Sequence, residues 1–202
     1  MFKVAITGNM GSGKTSICRV FELLDVPVFY ADKHALKLYS NKDFLKKIAE
    51  TFGPEILTKD NQLNRQALAD IVFKDENKLE TLNKLIHPRV FQQFEQWQKR
   101  QPHKPYCIQE AAILFETGWH KYFDKTILVY APEEELTRRV MKRDQVSLQK
   151  VKDRLTHQMP QEKKMALADY RLNNDNSQLL IPEVLNLHEE FIHLARQTST
   201  SI

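Results

Sequence analysis

Short apolar runs alternate along the chain with longer segments in which apolar residues recur at helical spacing. Short apolar or β-branched runs that are bounded by turns are typical of buried strands. Strands that alternate with helices in this way predict an α/β domain with a parallel sheet. The predicted strands are Phe2–Thr7, Pro27–Ala31, Tyr106–Glu110, Ile127–Ala131 and the weaker Tyr170–Asn173.

The segment between Lys33 and Pro105 is too long and too helical to be a simple connection between two strands. Its length predicts an inserted helical subdomain. A proline inside a helical pattern removes one backbone donor and crowds the preceding turn, so we expect the last helix to break or bend near Pro88. The predicted helices of this segment are Asp43–Thr51, Asn64–Phe73 and Glu76–Arg100.

The first predicted strand leads into a glycine-rich loop with the pattern of a phosphate-binding P-loop. Glycines let the backbone curl until several N–H groups point at one anion, and the helix that begins near Lys14 adds the positive end of its dipole. Lys14 would reach the β- and γ-phosphates of a nucleoside triphosphate, and the Thr15 hydroxyl would hold Mg²⁺. A glycine-rich turn without a ligand is the alternative, but the complete match favours triphosphate binding. The loop consists of Gly8, Asn9, Met10, Gly11, Ser12, Gly13, Lys14 and Thr15.

A second helical stretch, from Pro132 to about Leu167, is rich in basic residues. Its N-terminus carries Glu133–Glu135, and acidic side chains are favourable at that end of a helix. Basic helices after a late strand of a P-loop protein could close over the phosphates as a lid. Residues after about Ser177 predict a final helix that ends in a polar tail, 197–202.

Together these elements predict a P-loop NTPase-type fold, with a three-layer α/β/α core on a parallel sheet, a helical substrate-binding insertion and a helical lid. We expect the nucleotide-binding core to comprise residues 1–32, 105–132 and 168–202. The helical insertion would be 33–104 and the lid 133–167.

Composition and charge narrow the functional class. The 202 residues carry a formal net charge of +4, and basic residues are dispersed among acidic ones, as in Glu162-Lys163-Lys164. We therefore expect solvated helix faces and no nucleic-acid partner. The two cysteines, Cys18 and Cys107, are not spaced like metal ligands and do not form the pattern of a disulfide-rich protein, so we expect neither a zinc site nor a disulfide framework. Without a signal peptide or a membrane-length apolar run, we expect a cytoplasmic protein without a membrane partner.

Two acidic residues follow predicted strands and would lie at the same sheet edge as the P-loop. Asp32 could accept a proton from an attacking hydroxyl or bind Mg²⁺; the alternative is a helix N-cap. Glu110 resembles a Walker-B acid, which organises Mg²⁺, or else is a solvated strand end.

Arg139 and Arg143 are four residues apart and therefore share a helix face, from which they could clamp a transferring phosphoryl group. The alternative is an exposed face on which they pair with Glu135 and Asp144. His87 precedes a proline, and its spacing alone favours a structural role.

In their order along nearly the whole chain, these residues resemble the dephospho-coenzyme A kinase family of P-loop kinases. A P-loop is shared by many families, whereas His-Pro followed by Leu-Phe-Glu and then Arg-x-x-x-Arg-Asp is specific. The matching residues are Gly8–Thr15, Asp32, Phe52-Gly53, Leu63-Asn64-Arg65, Val72-Phe73, Leu85-Ile86-His87-Pro88, Ile113-Leu114-Phe115-Glu116, Arg139, Arg143-Asp144, Gln158, Ala168-Asp169 and Asn174.

The resemblance implies transfer of the γ-phosphoryl group of ATP, with Mg²⁺, to the 3′-hydroxyl of the ribose of dephospho-CoA, the last step of coenzyme A biosynthesis. It also implies that the helical insertion holds the acceptor. The implied roles are general base for Asp32, contacts with ATP and Mg²⁺ for Lys14 and Thr15, acceptor contacts for Arg65 and His87, lid positions for Arg139 and Arg143, and a position beside the adenine for Asn174.

The chain departs from the family pattern in three places, one of which is Thr137 where the family frequently has Gln. Tyr30-Ala31-Asp32 stands where the family often has Asp-Ala-Asp, and the expected catalytic carboxylate is kept. Glu110-Ala111-Ala112 replaces an Asp-x-Pro sequence. Two other functions are compatible with the sequence: another small-molecule or nucleoside monophosphate kinase, and a nucleotide-dependent regulatory or RNA-binding protein.

Overall fold

The computed structural model describes residues 1–101 and 103–200. These residues form two units, one made of residues 1–30 with the described residues from 98 onward, and one made of 31–97. The predicted insertion and core also included Pro102, Ser201 and Ile202, which lie outside the described residues.

The strands of the first unit are β1 (Phe2–Thr7), β2 (Val28–Tyr30), β3 (Tyr106–Glu110), β4 (Lys125–Tyr130) and β5 (Tyr170–Asn173). They form one sheet in the order β2-β3-β1-β4-β5, and every neighbouring pair is parallel. Parallel neighbours need long crossover connections, which the intervening helices provide. The predicted α/β fold class is therefore confirmed.

The α-helices of residues 1–101 and 103–200 are α1 (Lys14–Leu23), α2 (Ala31–Leu38), α3 (Lys42–Phe52), α4 (Arg65–Val72), α5 (Glu76–Gln98), α6 (Glu133–Asp144), α7 (Leu148–Leu155), α8 (Gln161–Leu167) and α9 (Leu180–Thr200). Single 3₁₀ turns cover Pro54–Ile56 and Trp119–Tyr122.

The sheet is buried on both faces, as a three-layer core requires. Successive strand residues point to opposite faces. Ile127 of β4 belongs to a core cluster that contains Phe21 of α1 and Phe191 of α9, whereas the next residue, Leu128, packs in a separate cluster with Ala168. Burial on both faces explains why the strands are almost continuously apolar.

Two strands differ from the predicted bounds. The residue Ala31 was predicted to end a strand, but it begins α2, which limits β2 to Val28–Tyr30. The fourth strand begins two residues earlier than predicted, because Lys125 already pairs with Val4 of β1.

The helix α5 runs without interruption through Pro88, so the predicted break is absent, and the alternative of a bend stays a prediction. Proline removes its own N–H and crowds the preceding turn, which can bend a helix without ending it. Here the Arg89 guanidinium donates to the carbonyl oxygen of Leu85 at 3.0 Å, one residue beyond the carbonyl that Pro88 leaves without its usual donor.

Two asparagines set the starts of helices in the second unit. The side-chain oxygen of Asn41 accepts from the N–H of Phe44 at 2.9 Å, and that of Asn64 accepts from the N–H of Ala67 at 3.1 Å. Each satisfies a backbone donor that the first helical turn leaves open.

The predicted polar tail after Gln197 is helical as far as Thr200. The buried stripe of α9 includes Phe191 and Ala195, so the helix packs against the core as far as Ala195. The hydroxyl of Thr198 also donates to the carbonyl of Leu194 at 3.0 Å, so polar residues add to this helix end.

Candidate active site

The P-loop connects β1 to α1 and needs glycine at two positions for steric reasons. Gly11 and Gly13 have φ angles of 82° and 94°, in the left-handed region that other residues avoid. A Cβ on Gly13 would lie 2.1 Å from the side-chain nitrogen of Asn174, and one on Gly11 would lie 2.6 Å from the carbonyl oxygen of Leu136. The loop is therefore closely surrounded by β5 and α6.

The Lys14 side chain is folded over the loop and is 8% exposed. Its ammonium donates to the carbonyl oxygens of Gly8 at 2.8 Å and of Asn9 at 3.3 Å. A buried cation at the N-terminus of α1 makes this end of the helix strongly favourable for an anion.

Thr15 and Glu110 bring two oxygen groups together beside the loop. The Thr15 hydroxyl donates to a carboxylate oxygen of Glu110 at 3.3 Å. The contact follows from the sheet register, because Glu110 pairs with Ile6 at the end of β1, just before the P-loop. A hydroxyl and a carboxylate are ligands of the kind that Mg²⁺ prefers, so these residues fit a magnesium ion.

Tyr30, the last residue of β2, remains protonated. Burial raises the pKa of its phenol, and Cys18, Glu22 and Glu110 raise it further. Burial is also the main reason for a raised pKa of the Cys18 thiol. Neither side chain supplies a negative charge to this region at neutral pH.

Arg139 is engaged with the P-loop itself. Its guanidinium donates to the carbonyl oxygens of Gly11 at 3.4 Å and Asn174 at 2.8 Å, and to the Glu135 carboxylate at 2.9 Å. Glu135 also accepts from Arg138, and this hydrogen bond is the largest reason that its pKa falls to about 2.

Arg143 does not share these contacts. Its guanidinium pairs with Asp144 at 2.7 Å, and Arg154 donates to the same carboxylate at 3.1 Å. The side chain of Arg143 is 64% exposed. The simple ion pairs expected for an exposed helix face are thus present at both arginines, and only Arg139 reaches the loop.

Asn174, at the end of β5, holds the P-loop from another side. Its side-chain amide donates to the carbonyl oxygen of Ser12 at 2.7 Å. Its position beside an adenine stays a prediction.

Gln158, which precedes α8, and Lys164 of α8 make contacts that their sequence pattern does not predict. Gln158 accepts from the N–H of Met10 at 3.0 Å. Lys164, expected on a solvated face, is fully buried at 0% exposure. A lysine pair after Glu162 gives no sequence signal that one of the two lysines is internal.

Asp32 lies in the second unit, in the first turn of α2 and two residues after β2. Asp32 is exposed to solvent. Because the helix begins at Ala31, Asp32 is inside the first turn and is not the N-cap that the alternative interpretation expected.

The second unit contains a cleft of about 1060 Å³ within its own helices. Arg65 lines it together with Lys42, Lys46 and Tyr39, and the acidic residues Glu50 and Asp60 line it as well. Burial raises the pKa of Tyr39 to about 12, although Arg65 opposes the shift. His87 is not part of the lining, and burial lowers its pKa.

Comparison with known proteins agrees with this geometry. The sequence model of the family described as dephospho-CoA kinase matches residues 2–179. A dephospho-CoA kinase from Salinibacter ruber is 39% identical over 180 residues, which cover 88% of this chain and 90% of that protein. The chain belongs to the dephospho-CoA kinase family. A second member of the dephospho-CoA kinase family, from Aquifex aeolicus, is 36% identical over 88% of this chain and 90% of its own length.

Solved structures agree with the assignment to the dephospho-CoA kinase family. A crystal structure of TT1252 from Thermus thermophilus is 32% identical, with a TM-score of 0.79 over 99% of this chain and 96% of that one. A dephospho-CoA kinase from Campylobacter jejuni is 27% identical, with a TM-score of 0.68 over 95% and 97%. The predicted family and enzyme class, a phosphotransferase, are confirmed. Within the described part of the chain, every helix is too short or too polar to cross a membrane.

Proposed function

We propose that this member of the family transfers the γ-phosphoryl group of ATP to the 3′-hydroxyl of the dephospho-CoA ribose and releases coenzyme A and ADP. The observation that carries the proposal is the P-loop with its buried Lys14, 8% exposed, and the adjoining Thr15–Glu110 pair in a chain of this family. One phosphorus–oxygen bond forms at the acceptor, and the bond to ADP breaks. Such transfer depends mainly on positioning and electrostatics.

The P-loop residues Gly8–Thr15 would bind the phosphates of ATP through backbone N–H groups. Lys14 would exchange its contacts with the carbonyls of Gly8 and Asn9 for the β- and γ-phosphates. This exchange is favourable because the phosphates give the buried ammonium a full counter-charge.

Thr15 and Glu110 are the residues that would hold Mg²⁺. The bound ion would neutralise negative charge on the β- and γ-phosphates. The 3.3 Å contact between the Thr15 hydroxyl and the Glu110 carboxylate supports the pairing of these two ligands.

Asp32 is proposed as the general base that accepts the proton of the 3′-hydroxyl. Its exposure and its position two residues after β2 support this role. Ligands of open α/β sheets bind beyond the carboxyl ends of the strands, where residues that follow a strand are available for chemistry.

The acceptor is assigned to the helical insertion, with Arg65 and His87 as contact residues. Dephospho-CoA carries a diphosphate, and Arg65 and Lys42 of the cleft would pair with that group, whereas Lys46 lies 3.9 Å from Glu50. His87 would contribute a neutral imidazole, since burial lowers its pKa.

Arg143 is the better candidate for a contact with the transferring phosphoryl group, because Arg139 is already committed to the P-loop and Asn174. The lid role of 133–167, the adenine contact of Asn174 and the cytoplasmic location stay predictions. So does the absence of a nucleic-acid partner.

The test is an ADP-release assay with purified protein, ATP and Mg²⁺, with and without dephospho-CoA. We expect acceptor-dependent release and a product that is heavier by one phosphate. A dephospho-CoA analogue that lacks the 3′-hydroxyl is the matched control and should give no such product. Equal ADP release with and without the acceptor would contradict the proposal and favour a different kinase or a nucleotide-dependent regulatory protein.

A further inference from the structure

Lys164 of α8 is a fully buried cation, at 0% exposure, outside the residues assigned to the reaction. Burying a charge is costly unless the charge is paired and hydrogen-bonded. The Lys164 ammonium donates to a carboxylate oxygen of Glu116 at 2.8 Å and to the carbonyl oxygen of Ala112 at 3.0 Å. Both partners lie in the loop that follows β3. The ammonium therefore joins α8 to this loop.

Glu116 has a second partner through the same oxygen. It accepts from the backbone N–H of Met159 at 2.8 Å. Burial lowers the pKa of Lys164, and the Glu116 carboxylate opposes that shift. The ion pair thus fixes the backbone of Met159 as well as the loop after β3.

The segment Gln158–Met159, here called the 158–159 bridge, also contacts the P-loop. The side-chain oxygen of Gln158 accepts from the backbone N–H of Met10 at 3.0 Å. The side-chain amide of Asn9 donates to the carbonyl oxygen of Met159 at 3.4 Å. Both residues of the bridge are therefore bonded to the nucleotide loop, and Met159 is also bonded to the buried ion pair.

We propose that Lys164 and Glu116 are positioning residues that hold the 158–159 bridge against the P-loop and so set the loop conformation that binds ATP. This inference rests on the proposed function in one respect, which is that the nucleotide bound by the P-loop is ATP. Neither residue touches the reacting atoms. Their effect passes through the Met159 N–H and the two hydrogen bonds from the bridge to Asn9 and Met10.

The experiment measures ATP affinity by isothermal titration, without acceptor, for Lys164→Met and Gln158→Ala. We expect each variant to raise the Kd of ATP by about tenfold, the scale of one lost positioning hydrogen bond. The kcat at saturating ATP should change by less than about threefold, since the reacting groups are untouched. Lys163→Met, an exposed neighbour in α8, is the matched control for loss of one positive charge and should bind ATP like wild type.

A double variant tests whether both residues act through the bridge. If they do, Lys164→Met combined with Gln158→Ala raises the Kd of ATP no more than the stronger single variant does. Strictly additive effects would overturn the proposal. A second result would also overturn it: a lower melting temperature while the Kd of ATP stays within about twofold of wild type. A twofold change is below the scale of one hydrogen bond, so the ion pair would then only stabilise the fold.

The test stays decisive if Lys164→Met does not fold, because Gln158→Ala removes a single hydrogen bond from a half-buried side chain. An unchanged Kd of ATP in Gln158→Ala would then be sufficient to reject the bridge. The titration is independent of the acceptor. Wild-type protein that binds ATP but does not phosphorylate dephospho-CoA would contradict the proposed function and leave this proposal testable.

Discussion

The side-chain amide of Asn174 donates to the carbonyl oxygen of Ser12 at 2.7 Å and ties the end of β5 to the P-loop. We expect Asn174→Ala to raise the KM for ATP by about fivefold to tenfold, because one positioning hydrogen bond is lost. The kcat should change less, since the bond does not reach the acceptor. Steady-state kinetics with saturating dephospho-CoA would measure both constants. An unchanged KM for ATP would mean that the loop keeps its conformation without Asn174.

The local part of this site was readable from the sequence. A strand, a glycine-rich loop and a helix start follow one another between Phe2 and Leu23, so their relative placement is fixed by short-range geometry. The position of Glu110 beside Thr15 could also be predicted from the sequence, because strand ends in a parallel sheet meet at one edge.

The supporting contacts could not be derived in the same way. Asn174 lies 162 residues from its partner Ser12, and no sequence pattern links the two. The adjacent lysines 163 and 164 predict two exposed side chains, and the burial of Lys164 depends on where α8 packs. The helix does not break at Pro88, because the loss of one backbone donor need not end a helix whose flanking turns remain helical.

Thr15 and Glu110 should control the magnesium requirement. We expect Glu110→Gln to raise the Mg²⁺ concentration for half-maximal activity by about tenfold or more, because a carboxylate charge near the ion is lost. Thr15→Ser keeps the hydroxyl and should behave nearly as wild type, whereas Thr15→Val should resemble Glu110→Gln. A Mg²⁺ titration at fixed ATP measures the effect. Identical titration curves for all variants would exclude both residues as ligands.

Asp32→Asn should lower kcat by about 10²-fold or more, since the variant cannot take the acceptor proton. The Kd of ATP should remain close to the wild-type value. Lys14→Ala is the contrasting variant, because it should weaken nucleotide binding itself. Single-turnover kinetics with both substrates, and a separate ATP titration, measure the two effects. Near-normal turnover in Asp32→Asn would remove this residue from the mechanism.

Arg139 and Arg143 should give different kinetic defects although they share one helix. Arg139→Ala removes hydrogen bonds to the P-loop and to β5, so it should mainly raise the KM for ATP. Arg143→Ala should mainly lower kcat, by about 10²-fold, if its guanidinium moves to the transferring phosphoryl group. The control is Lys142→Ala, an exposed residue between them. The same defect in both arginine variants would contradict this separation.

His188 of α9 is one of three histidines, with His34 and His87, whose pKa is lowered by burial in the described part of the chain. The Tyr106 hydroxyl and the His188 Nδ1 are 2.7 Å apart, and burial lowers the pKa of His188 even though Glu189 opposes the shift. A histidine with a lowered folded-state pKa binds its proton more readily in the unfolded chain, so its contribution to stability is lost as the pH falls through the folded pKa.

We therefore expect the free energy of unfolding to decrease as the pH falls below about 6.5, the ordinary histidine pKa, towards the lower folded-state pKa. His188→Gln should lose less stability across this pH range, because its side chain does not titrate. Urea unfolding at each pH measures the slope. His193→Gln, an exposed histidine of the same helix, is the control and should keep the wild-type slope. A slope in His188→Gln equal to that of wild type would show that other groups cause the acid sensitivity.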